Sequence, residues 1–562
     1  MSHDIELLIS DLLAYSTTYP QDIESRLMLA QLYDVTKQNE KAVNCYHHIL
    51  EIDPYHAQAH FEIAVSAQLA KENQLALQHY QAIPPSSEFF ITSLTNTILI
   101  YFKENQYINA CHSAEMLVQS LPNDPKAWND LGVIYKKLGQ FDKAEAAFLK
   151  VLQLDSEHAQ ALGNLATIYR HQRQFYLAFE YAKMGLSRLP ENAIRERVQQ
   201  LNNFALICND MHSFQMALMV CQDALHLDPE NQVTHWNYSI SLLLNQKWQE
   251  GFQEYVWGLT PLKARQELVE IWDKPEWTPH LVVYPEMCVA IYTEQGFGDT
   301  ILFVRYVENI LALGIKVVLV VQPELCRLLQ VAFPDSPCIS PTILGQYKDK
   351  ITHQVCLLKL PALLHAETGL LKRNYLRVPA LKFVPALKQL LDETKATGQK
   401  RVGLIWAGNP AHMRDQDRSV NFETFLPLIQ AFMGQVHFFG LQKGEAQKEY
   451  SVHRHLLPHF HDVGSYLTDF AVTAAVMQEL DLIISIDSAP AHLGSALGKQ
   501  TWVLPPLYYP EWRWIIEKDT KNESIWYGDQ VTVYQYPNIG DIRGCLAHLL
   551  EDLNVLIAND PI

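Results

Sequence analysis

Two stretches of this sequence share one layout: YTEQGFGDTILF at residues 292–303 and IISIDSAPAHLGSALGKQTW at residues 483–502. In each, a run of β-prone residues ends in a short turn of small or polar residues, and the turn leads into a helical pattern. Asp299 lies in the first turn and Asp487 in the second. Because sites in open α/β sheets lie at the carboxyl ends of strands, we expect both stretches to carry function. We call them the first corner and the second corner.

The corners belong to a C-terminal region in which strands and helices alternate. The predicted strands are residues 287–293, 315–322, 353–360, 401–408, 435–442, 481–487 and 500–506. Amphipathic helices such as residues 299–314 lie between them. Nearly continuous apolar strands that alternate with helices indicate parallel sheets buried on both faces. We expect two Rossmann-like halves, residues 286–398 and residues 399–562, with a cleft between them and a helix at the end of the second half.

The N-terminal half repeats instead. Small residues recur every 34 residues at Ala42, Ala76, Ala110, Ala144 and Ala178, and after a five-residue slip at Ala217 and Gly251. The clearest copy contains Trp128, Leu131, Gly132, Tyr135, Ala144 and Phe148. A fixed period of this length is typical of stacked helical hairpins. We expect small residues to let the two helices of a hairpin approach and aromatic residues to fill the gap between them.

About seven such units are predicted. Stacked hairpins bury their apolar faces against each other and form a superhelix whose concave side holds an extended peptide or a partner surface. The predicted organisation is an N-terminal helical cap at residues 1–22, a superhelix at residues 23–257 and a connector at residues 258–285, ahead of the two Rossmann-like halves.

Composition excludes several classes of protein. The net charge of −18 argues against nucleic-acid binding, which depends on clustered Lys and Arg. The nine cysteines form no C-x-x-C pair and therefore fit a reducing compartment better than a disulfide framework. No apolar run reaches the ~18 residues that a membrane span needs, and the first residues lack the features of a signal peptide. We expect a cytoplasmic protein without a membrane span.

Two resemblances follow from these motifs. The set at residues 128–148 resembles the tetratricopeptide repeat (TPR). The segments TEQGFGDTILFVRY, VGLIWAGNPAHMRDQDRS and IISIDSAPAHLGSALGKQTWVLPP together resemble the glycosyltransferase family 9 domain, the heptosyltransferase-like GT-B group, in the form that follows TPRs in some bacterial proteins. This similarity covers about residues 285–555. It implies an α-helical TPR superhelix followed by a GT-B module, with residues 286–398 on the acceptor side and residues 399–562 on the side of the nucleotide-sugar donor.

The family resemblance gives the first corner a catalytic role. It implies that Asp299 is the general base that deprotonates the acceptor hydroxyl in a single inverting displacement, and Glu294 is the second candidate. Gly296 and Gly298 permit backbone geometry and close ligand approach that other residues obstruct. The alternative for Asp299 is an N-cap that satisfies free backbone N–H groups of the following helix.

The second corner and one loop are expected to bind the donor. A helix at residues 491–497 directs its N-terminal N–H groups at the cleft, and such a terminus binds phosphate without a metal. By resemblance, Asp487, Ser488 and His492 contact the donor, although a helical histidine is by default bonded to a nearby carbonyl. Asn409 and Arg418 lie in a polar loop after strand 401–408, where the family has a basic residue that steadies the leaving diphosphate. A solvated surface arginine is the alternative for Arg418.

Three further motifs have simpler explanations. The carboxylates of DQD at residues 415–417 stand beside two arginines, and the histidines of HRHLLPHFH at residues 453–461 lie on a predicted loop without partner cysteines, so we expect no metal at either. YYPEWRW at residues 508–514 is aromatic enough to stack a nucleobase or line the cleft, and equally suited to core packing.

The leading hypothesis is therefore a glycosyltransferase that moves a sugar from a nucleotide-sugar donor to an acceptor, in one version a protein presented by the repeats. It needs no cofactor, because the nucleotide sugar is a substrate. The alternative is a peptide-binding TPR scaffold whose degenerate GT-B domain only binds a nucleotide. A Rossmann oxidoreductase is disfavoured, because G-F-G-D lacks the G-x-x-G extension and the later acidic residue that grips ribose.

Overall fold

The computed structural model describes residues 2–364, 374–378, 382–412, 414–516, 522–536, 538 and 540–558. The chain divides into two compact units, Met1–Glu196 and Arg197–Ile562. The domain boundaries expected at residues 22, 257, 285 and 398 stay predictions.

The first unit is helical. Its helices are α1 Ser2–Thr18, α2 Ile23–Val35, α3 Asn39–Ile52, α4 Ala57–Leu69, α5 Asn73–Gln81, α6 Phe90–Lys103, α7 Tyr107–Ser120, α8 Pro125–Lys137, α9 Phe141–Leu154, α10 Ala159–His171 and α11 Phe175–Arg188. From α2 to α11 they form consecutive hairpins. Further along the chain, a short turn joins α12 Ile194–Asp210 to α13 Phe214–Leu227, and α14 Gln232–Leu244 packs on α15 Trp248–Tyr255. Within the described ranges this makes seven hairpins, as the period predicts.

Close helix packing explains the small residues of the repeat. A Cβ atom on Gly132 of α8 would lie 2.6 Å from Cε1 of Phe148 on α9, closer than any side chain tolerates. Phe148 and Ala144 are fully buried and Tyr135 is 9 % exposed. The expected roles of these residues in the hairpin are thus seen in the structure.

Each hairpin turns through one residue in the left-handed region. These residues are Lys37, Lys71, Asn105, Gly139 and Arg173 in the first unit, and His212 and Gln246 in the second, with φ between 58° and 71°. They follow the 34-residue step and the five-residue slip of the sequence. Only glycine adopts this conformation without steric cost, yet among these seven turn residues Gly139 is the single glycine.

We therefore predict that Gly139→Ala lowers the free energy of unfolding by about 1 kcal/mol, because Ala at positive φ brings its Cβ close to the following carbonyl. No atom lies within 4 Å of the added Cβ, so the change isolates backbone strain. Urea unfolding followed by circular dichroism measures it. Lys71→Gly is the matched reverse change and is expected to be neutral or stabilising; equal losses in both variants would contradict the account.

After α15 the second unit alternates between strands and helices. Its strands are β1 Cys288–Tyr292, β2 Lys316–Val320, β3 Cys338–Ile339, β4 His353–Cys356, β5 Lys400–Ile405, β6 Val436–Gly440, β7 Phe460–Asp462, β8 Leu482–Ile486, β9 Thr501–Leu504, β10 Glu523–Ser524 and β11 Gly528–Val533. Its remaining helices are α16 Phe297–Phe303, α17 Val307–Ala312, α18 Pro323–Ala332, α19 Leu360–Leu363, α20 Pro385–Ala396, α21 Leu426–Ala431, α22 Glu449–His453, α23 Phe470–Gln478, α24 Ala489–Ala496 and α25 Ile542–Ala558.

The strands form two sheets. The first has the order β3-β2-β1-β4 and is parallel. The second has the order β10-β11-β9-β8-β5-β6-β7 and is parallel except for the β10–β11 pair. Every predicted strand coincides with an observed one, although β5 begins one residue before the predicted strand 401–408, and strands β3, β7, β10 and β11 were not predicted. The C-terminal region thus has two mixed α/β layers, each built around a largely parallel sheet.

The helix expected over residues 299–314 is wrong in detail. It begins earlier, at Phe297, and a 3₁₀ turn at Val304–Tyr306 separates α16 from α17. Arg305 in that turn is buried, and its Nε donates to the Leu302 carbonyl (2.9 Å) while Nη1 donates to the Trp526 carbonyl (2.9 Å). An internal arginine that binds main-chain oxygens accompanies the break in the helical pattern.

Among the described residues, no helix combines the length and the apolar character needed to cross a bilayer.

Candidate functional site

Sheet topology places each corner at the carboxyl end of a strand. In the first sheet β1 lies between β2 and β4, and in the second β5 lies between β6 and β8, so the connections on either side run in opposite directions. Such a switch point opens a crevice at the carboxyl ends of the strands. The first corner follows β1, the second corner follows β8, and the loop with Arg418 follows β5.

The two corners touch each other. A Cβ atom on Gly298 would lie 2.9 Å from Cδ2 of His492 and 3.7 Å from the Cα of Ala489. Neither Gly298 nor Gly296 has positive φ, so Gly298 is required by this contact and not by backbone conformation. The start of α16 therefore packs directly on the start of α24.

Asp299 is held by an arginine. Nε and Nη2 of Arg513 donate to Oδ1 of Asp299 at 3.0 and 2.6 Å. Nη1 of the same guanidinium donates to Oε1 of Glu511 at 2.6 Å. The N-cap alternative for Asp299 is wrong: Gly296 precedes the helix, Asp299 lies in its first turn, and its carboxylate binds Arg513. Oδ2 of Asp299 accepts no hydrogen bond from a residue that the structure describes.

Asp487 is held by the residue after Arg513. Nε1 of Trp514 donates to Oδ1 of Asp487 at 2.7 Å, and the indole stacks on the ring of His492 at 4.4 Å. Trp514 ends a short 3₁₀ turn, Trp512–Trp514. Two successive residues of this turn thus bind the aspartates of the two corners.

His492 lies inside the contact between the corners. It is 3 % exposed, and its Nδ1 lies 2.8 Å from the hydroxyl of Tyr527. Burial, followed by the nearby charges of Arg513, Arg305 and Arg418, lowers the pKa of His492 well below its ordinary value, so the imidazole is neutral near pH 7. In this structure its contacts are with protein groups, and the donor contact expected for it stays a prediction.

Ser488 and the start of α24 complete the second corner. Ser488 is buried, its Oγ lies 2.9 Å from Oγ of Ser485, and it makes no side-chain cap on α24. The helix begins at Ala489, two residues earlier than expected. Its N-terminal N–H groups therefore have no side-chain acceptor of the usual kind.

The loop after β5 brings Arg418 to Asp487. Nη1 of Arg418 lies 3.7 Å from Oδ2 of Asp487, and Nε donates to Asp415 at 3.2 Å. Gly408 makes room for this pair, because a Cβ there would lie 2.8 Å from Nη2 of Arg418. The side chain of Arg418 is 15 % exposed, so the solvated-arginine alternative is wrong. Asn409 is exposed, and its Oδ1 accepts from the N–H of Ala411 (3.0 Å).

Glu294 contacts other residues than Asp299 does. Oε1 accepts from the N–H of Thr260 (3.2 Å), and Oε2 lies 4.0 Å from Nη1 of Arg265 without a hydrogen bond. Burial raises the pKa of Glu294 above its ordinary value, and the Thr260 N–H and Arg265 oppose the rise. The structure pairs Glu294 with the connector residues, whereas Asp299 pairs with Arg513.

The motifs set aside as metal sites are explained by other contacts. Asp415 and Asp417 lie in a 3₁₀ turn and pair with Arg418 and Arg414. The histidines of residues 453–461 are not on one loop, because His461 lies in β7, where its Nε2 is 3.0 Å from Nδ1 of His437. Within the described part of the chain, no group of three or more His, Cys, Asp or Glu is arranged to hold a metal ion.

Three site residues escaped the sequence analysis as individuals: Arg513, Trp514 and Tyr527. The stretch YYPEWRW did carry a signal, because Glu511 and Arg513 are charges inside an aromatic run that follows a buried strand. The core-packing interpretation of that stretch holds in part, and a role in the cleft stays a prediction. Trp512 is core, packed 5.7 Å from Trp526, whereas Arg513 and Trp514 face the two aspartates.

Comparison with known proteins identifies the repeats. Models of the tetratricopeptide repeat match residues 23–56 and residues 125–158. The chain carries tetratricopeptide repeats. They confirm that part of the resemblance, and they support a protein-interaction scaffold with a peptide or protein partner.

Curated relatives match over part of the chain. The general transcriptional corepressor ssn6 of Schizosaccharomyces pombe is 26% identical over 136 residues, which is 24% of this chain and 12% of that protein. The BBSome complex member BBS4 homolog of Drosophila melanogaster is 24% identical over 172 residues, 30% of this chain and 35% of that protein. The uncharacterized protein ycf37 of Cyanophora paradoxa is 34% identical over 119 residues, which is 20% of this chain and 66% of that protein. The chain spans about an eighth of the length of ssn6 and about a third of the length of the BBS4 homolog.

Solved structures give similar partial matches. YrrB, described as a TPR protein with an unusual peptide-binding site, is 19% identical with a TM-score of 0.30, and the match covers 34% of this chain and 97% of YrrB. PilF of Pseudomonas aeruginosa is 20% identical with a TM-score of 0.30, and the match covers 38% of this chain and 94% of PilF.

Proposed function

We propose that this protein is a glycosyltransferase that transfers a sugar from a nucleotide-sugar donor to an acceptor hydroxyl by an inverting, metal-independent displacement. The observation that carries the proposal is the contact between the two corners. It brings a carboxylate with a free oxygen, Asp299 Oδ2, next to the second corner, where Arg418 and the start of α24 supply positive charge.

The chemistry divides between the corners. Oδ2 of Asp299 takes the proton of the acceptor hydroxyl while the acceptor oxygen forms a bond to the anomeric carbon. The bond from that carbon to the diphosphate oxygen breaks on the opposite face, and the nucleoside diphosphate leaves with the electron pair. The developing charge on the diphosphate is stabilised by the N-terminal N–H groups of α24 and by the guanidinium of Arg418. Asp415 orients that guanidinium by accepting from its Nε, and Asp487 lies 3.7 Å from its Nη1.

Arg418 is suited to bind an anion because its guanidinium is incompletely used. Nε is bound to Asp415, Nη1 lies beyond hydrogen-bond distance of Asp487, and Nη2 has no hydrogen-bond partner among the described residues. A diphosphate oxygen supplies the missing acceptors. Ser488 and Asn409 extend the same surface toward the rest of the donor.

The repeats supply the second substrate or a partner. TPR hairpins bind peptides and protein surfaces, and we propose that the acceptor is a protein or peptide that the repeats hold.

Donor binding is tested by thermal shift with a panel of nucleoside diphosphates and nucleotide sugars, with and without EDTA. A ligand that binds only the native state raises the melting temperature, and we expect one nucleotide family to do so in the presence of EDTA. A panel without any stabilising nucleotide would refute the proposed function.

Arg418→Gln is expected to weaken binding of the stabilising nucleoside diphosphate by about 10- to 100-fold, because a hydrogen bond to a charged group contributes about 1.5–3 kcal/mol. Isothermal titration calorimetry measures it. Arg401→Gln is the matched control: Arg401 is also buried and ion-paired, with Glu479 and Asp481, but it lies at the amino end of β5, the opposite edge of the sheet. Equal affinities in the two variants would remove Arg418 from the donor site.

The second candidate is a TPR scaffold whose α/β region binds a nucleotide without transfer. The burial of His492 and the pairing of Asp299 with Arg513 favour it, since both groups are bound within the protein. Donor hydrolysis separates the two candidates: with the stabilising nucleotide sugar and no acceptor, a transferase releases sugar slowly to water, whereas a scaffold returns the intact donor.

A further inference from the structure

All three guanidinium nitrogens of Arg513 are bound to carboxylates. Nε and Nη2 donate to Asp299, and Nη1 donates to Glu511. The side chain is only 16% exposed. Arg513 therefore differs from Arg418, in which Nε alone donates to a carboxylate within hydrogen-bond distance among the described residues. A guanidinium whose three nitrogens each bind one of two carboxylates uses three of its five N–H groups and has a fixed position.

The support behind Arg513 is rigid. Its guanidinium lies over the ring of Trp512 at 4.4 Å, and Trp512 is 1 % exposed. That indole packs against Phe252 of α15 (5.8 Å) and Trp526 (5.7 Å). On the other side, Glu511 accepts from the backbone N–H of Arg513 (3.2 Å) as well as from its side chain. The arginine thus contacts an aromatic cluster on one side and the partly buried carboxylate of Glu511 on the other.

The pairing with Arg513 engages Oδ1 of Asp299 and leaves Oδ2 without a hydrogen bond from a described residue. Both donated hydrogen bonds end on Oδ1, so Oδ2 keeps the lone pairs that a general base needs. Two hydrogen bonds from one guanidinium hold Oδ1 in a defined position relative to Arg513. The adjacent Trp514 fixes Asp487 in the same way, so the Trp512–Trp514 turn sets the geometry of both corners.

Resting on the proposed function, we infer that Arg513 is the positioning residue of the catalytic base: it holds Asp299 by Oδ1 so that Oδ2 meets the acceptor hydroxyl. It does not bind the donor. A small misplacement of a reacting group costs about 100-fold in rate, whereas loss of a donor contact changes affinity. The two roles therefore predict different kinetics.

The test compares full-length wild type with Arg513→Gln, Arg513→Lys and the control Arg401→Gln. We expect Arg513→Gln to lower kcat by about 100-fold with the donor KM within about threefold. Arg513→Lys, which keeps the charge but not the planar fork, should recover part of the rate.

A second readout needs no turnover. Carbodiimide-activated coupling of an amine, quantified by mass spectrometry, reports how readily Asp299 reacts. It should label Asp299 several-fold faster in Arg513→Gln than in wild type or in Arg401→Gln. Unchanged labelling, or a raised donor KM with unchanged kcat, overturns the positioning role. Faster labelling in a protein that transfers no sugar refutes the proposed function instead, so the two failures are distinguishable.

Discussion

Asp299→Asn should abolish transfer, lowering kcat by about 10²–10⁴-fold, while the affinity for the nucleoside diphosphate stays within about threefold. The asparagine amide has nearly the size and shape of the carboxylate but accepts no proton, and general bases contribute rate factors of that order. Donor affinity is kept because Arg418 and the start of α24 are unchanged. Initial rates and isothermal titration calorimetry on the same preparation measure the two quantities.

The control for this change is Asp392→Asn, which alters an exposed carboxylate of α20 that pairs with Lys388. It should leave rate and affinity at the wild-type level. Glu294→Gln addresses the other candidate base. Retained turnover in Asp299→Asn together with its loss in Glu294→Gln would assign the base to Glu294, whose buried Oε2 also has no hydrogen-bond partner.

The local sequence pattern predicted the features that depend on residues close together in the sequence, namely the strands and the hairpins. The buried strands were recognised because their apolar runs are continuous: β1 and β8 fall inside predicted strands, and β5 begins one residue before its predicted start. The hairpins were recognised because their period is fixed, and the left-handed turn residues keep the same step. The meeting of the corners was expected because each follows the carboxyl end of a strand, where sites in open α/β sheets lie, and a cleft was predicted between the two halves.

What the pattern could not predict depends on pairs distant in sequence. Asp299 and Arg513 are separated by more than two hundred positions, and nothing near either residue indicates the other. The burial of His492 is a property of Gly298, Trp514 and Tyr527 together. A motif gives the residue types of a site, whereas the partner of each side chain is decided by tertiary packing.

The contact between the corners can be tested with one pair of glycines. In Gly298→Ala the new methyl group would lie 2.9 Å from Cδ2 of His492, and that ring has no room to retreat because it stacks on Trp514 and contacts the Tyr527 hydroxyl. We expect a loss of stability of about 1–3 kcal/mol, typical of overpacking. We also expect kcat to fall about 100-fold, because separation of α16 from α24 moves Asp299 away from the donor.

Gly296→Ala is the matched control, two residues earlier in the same turn. Its Cβ would meet only Oδ2 of Asp299, at 3.9 Å, which is an ordinary contact, and its φ of −66° suits alanine. Because Gly296 occupies the N-cap position, a cost below about 1 kcal/mol remains expected there. Thermal melts and initial rates of the two variants decide the matter. If Gly298→Ala behaves like Gly296→Ala, the corners do not touch in solution, and the base at Asp299 loses its access to the donor at α24.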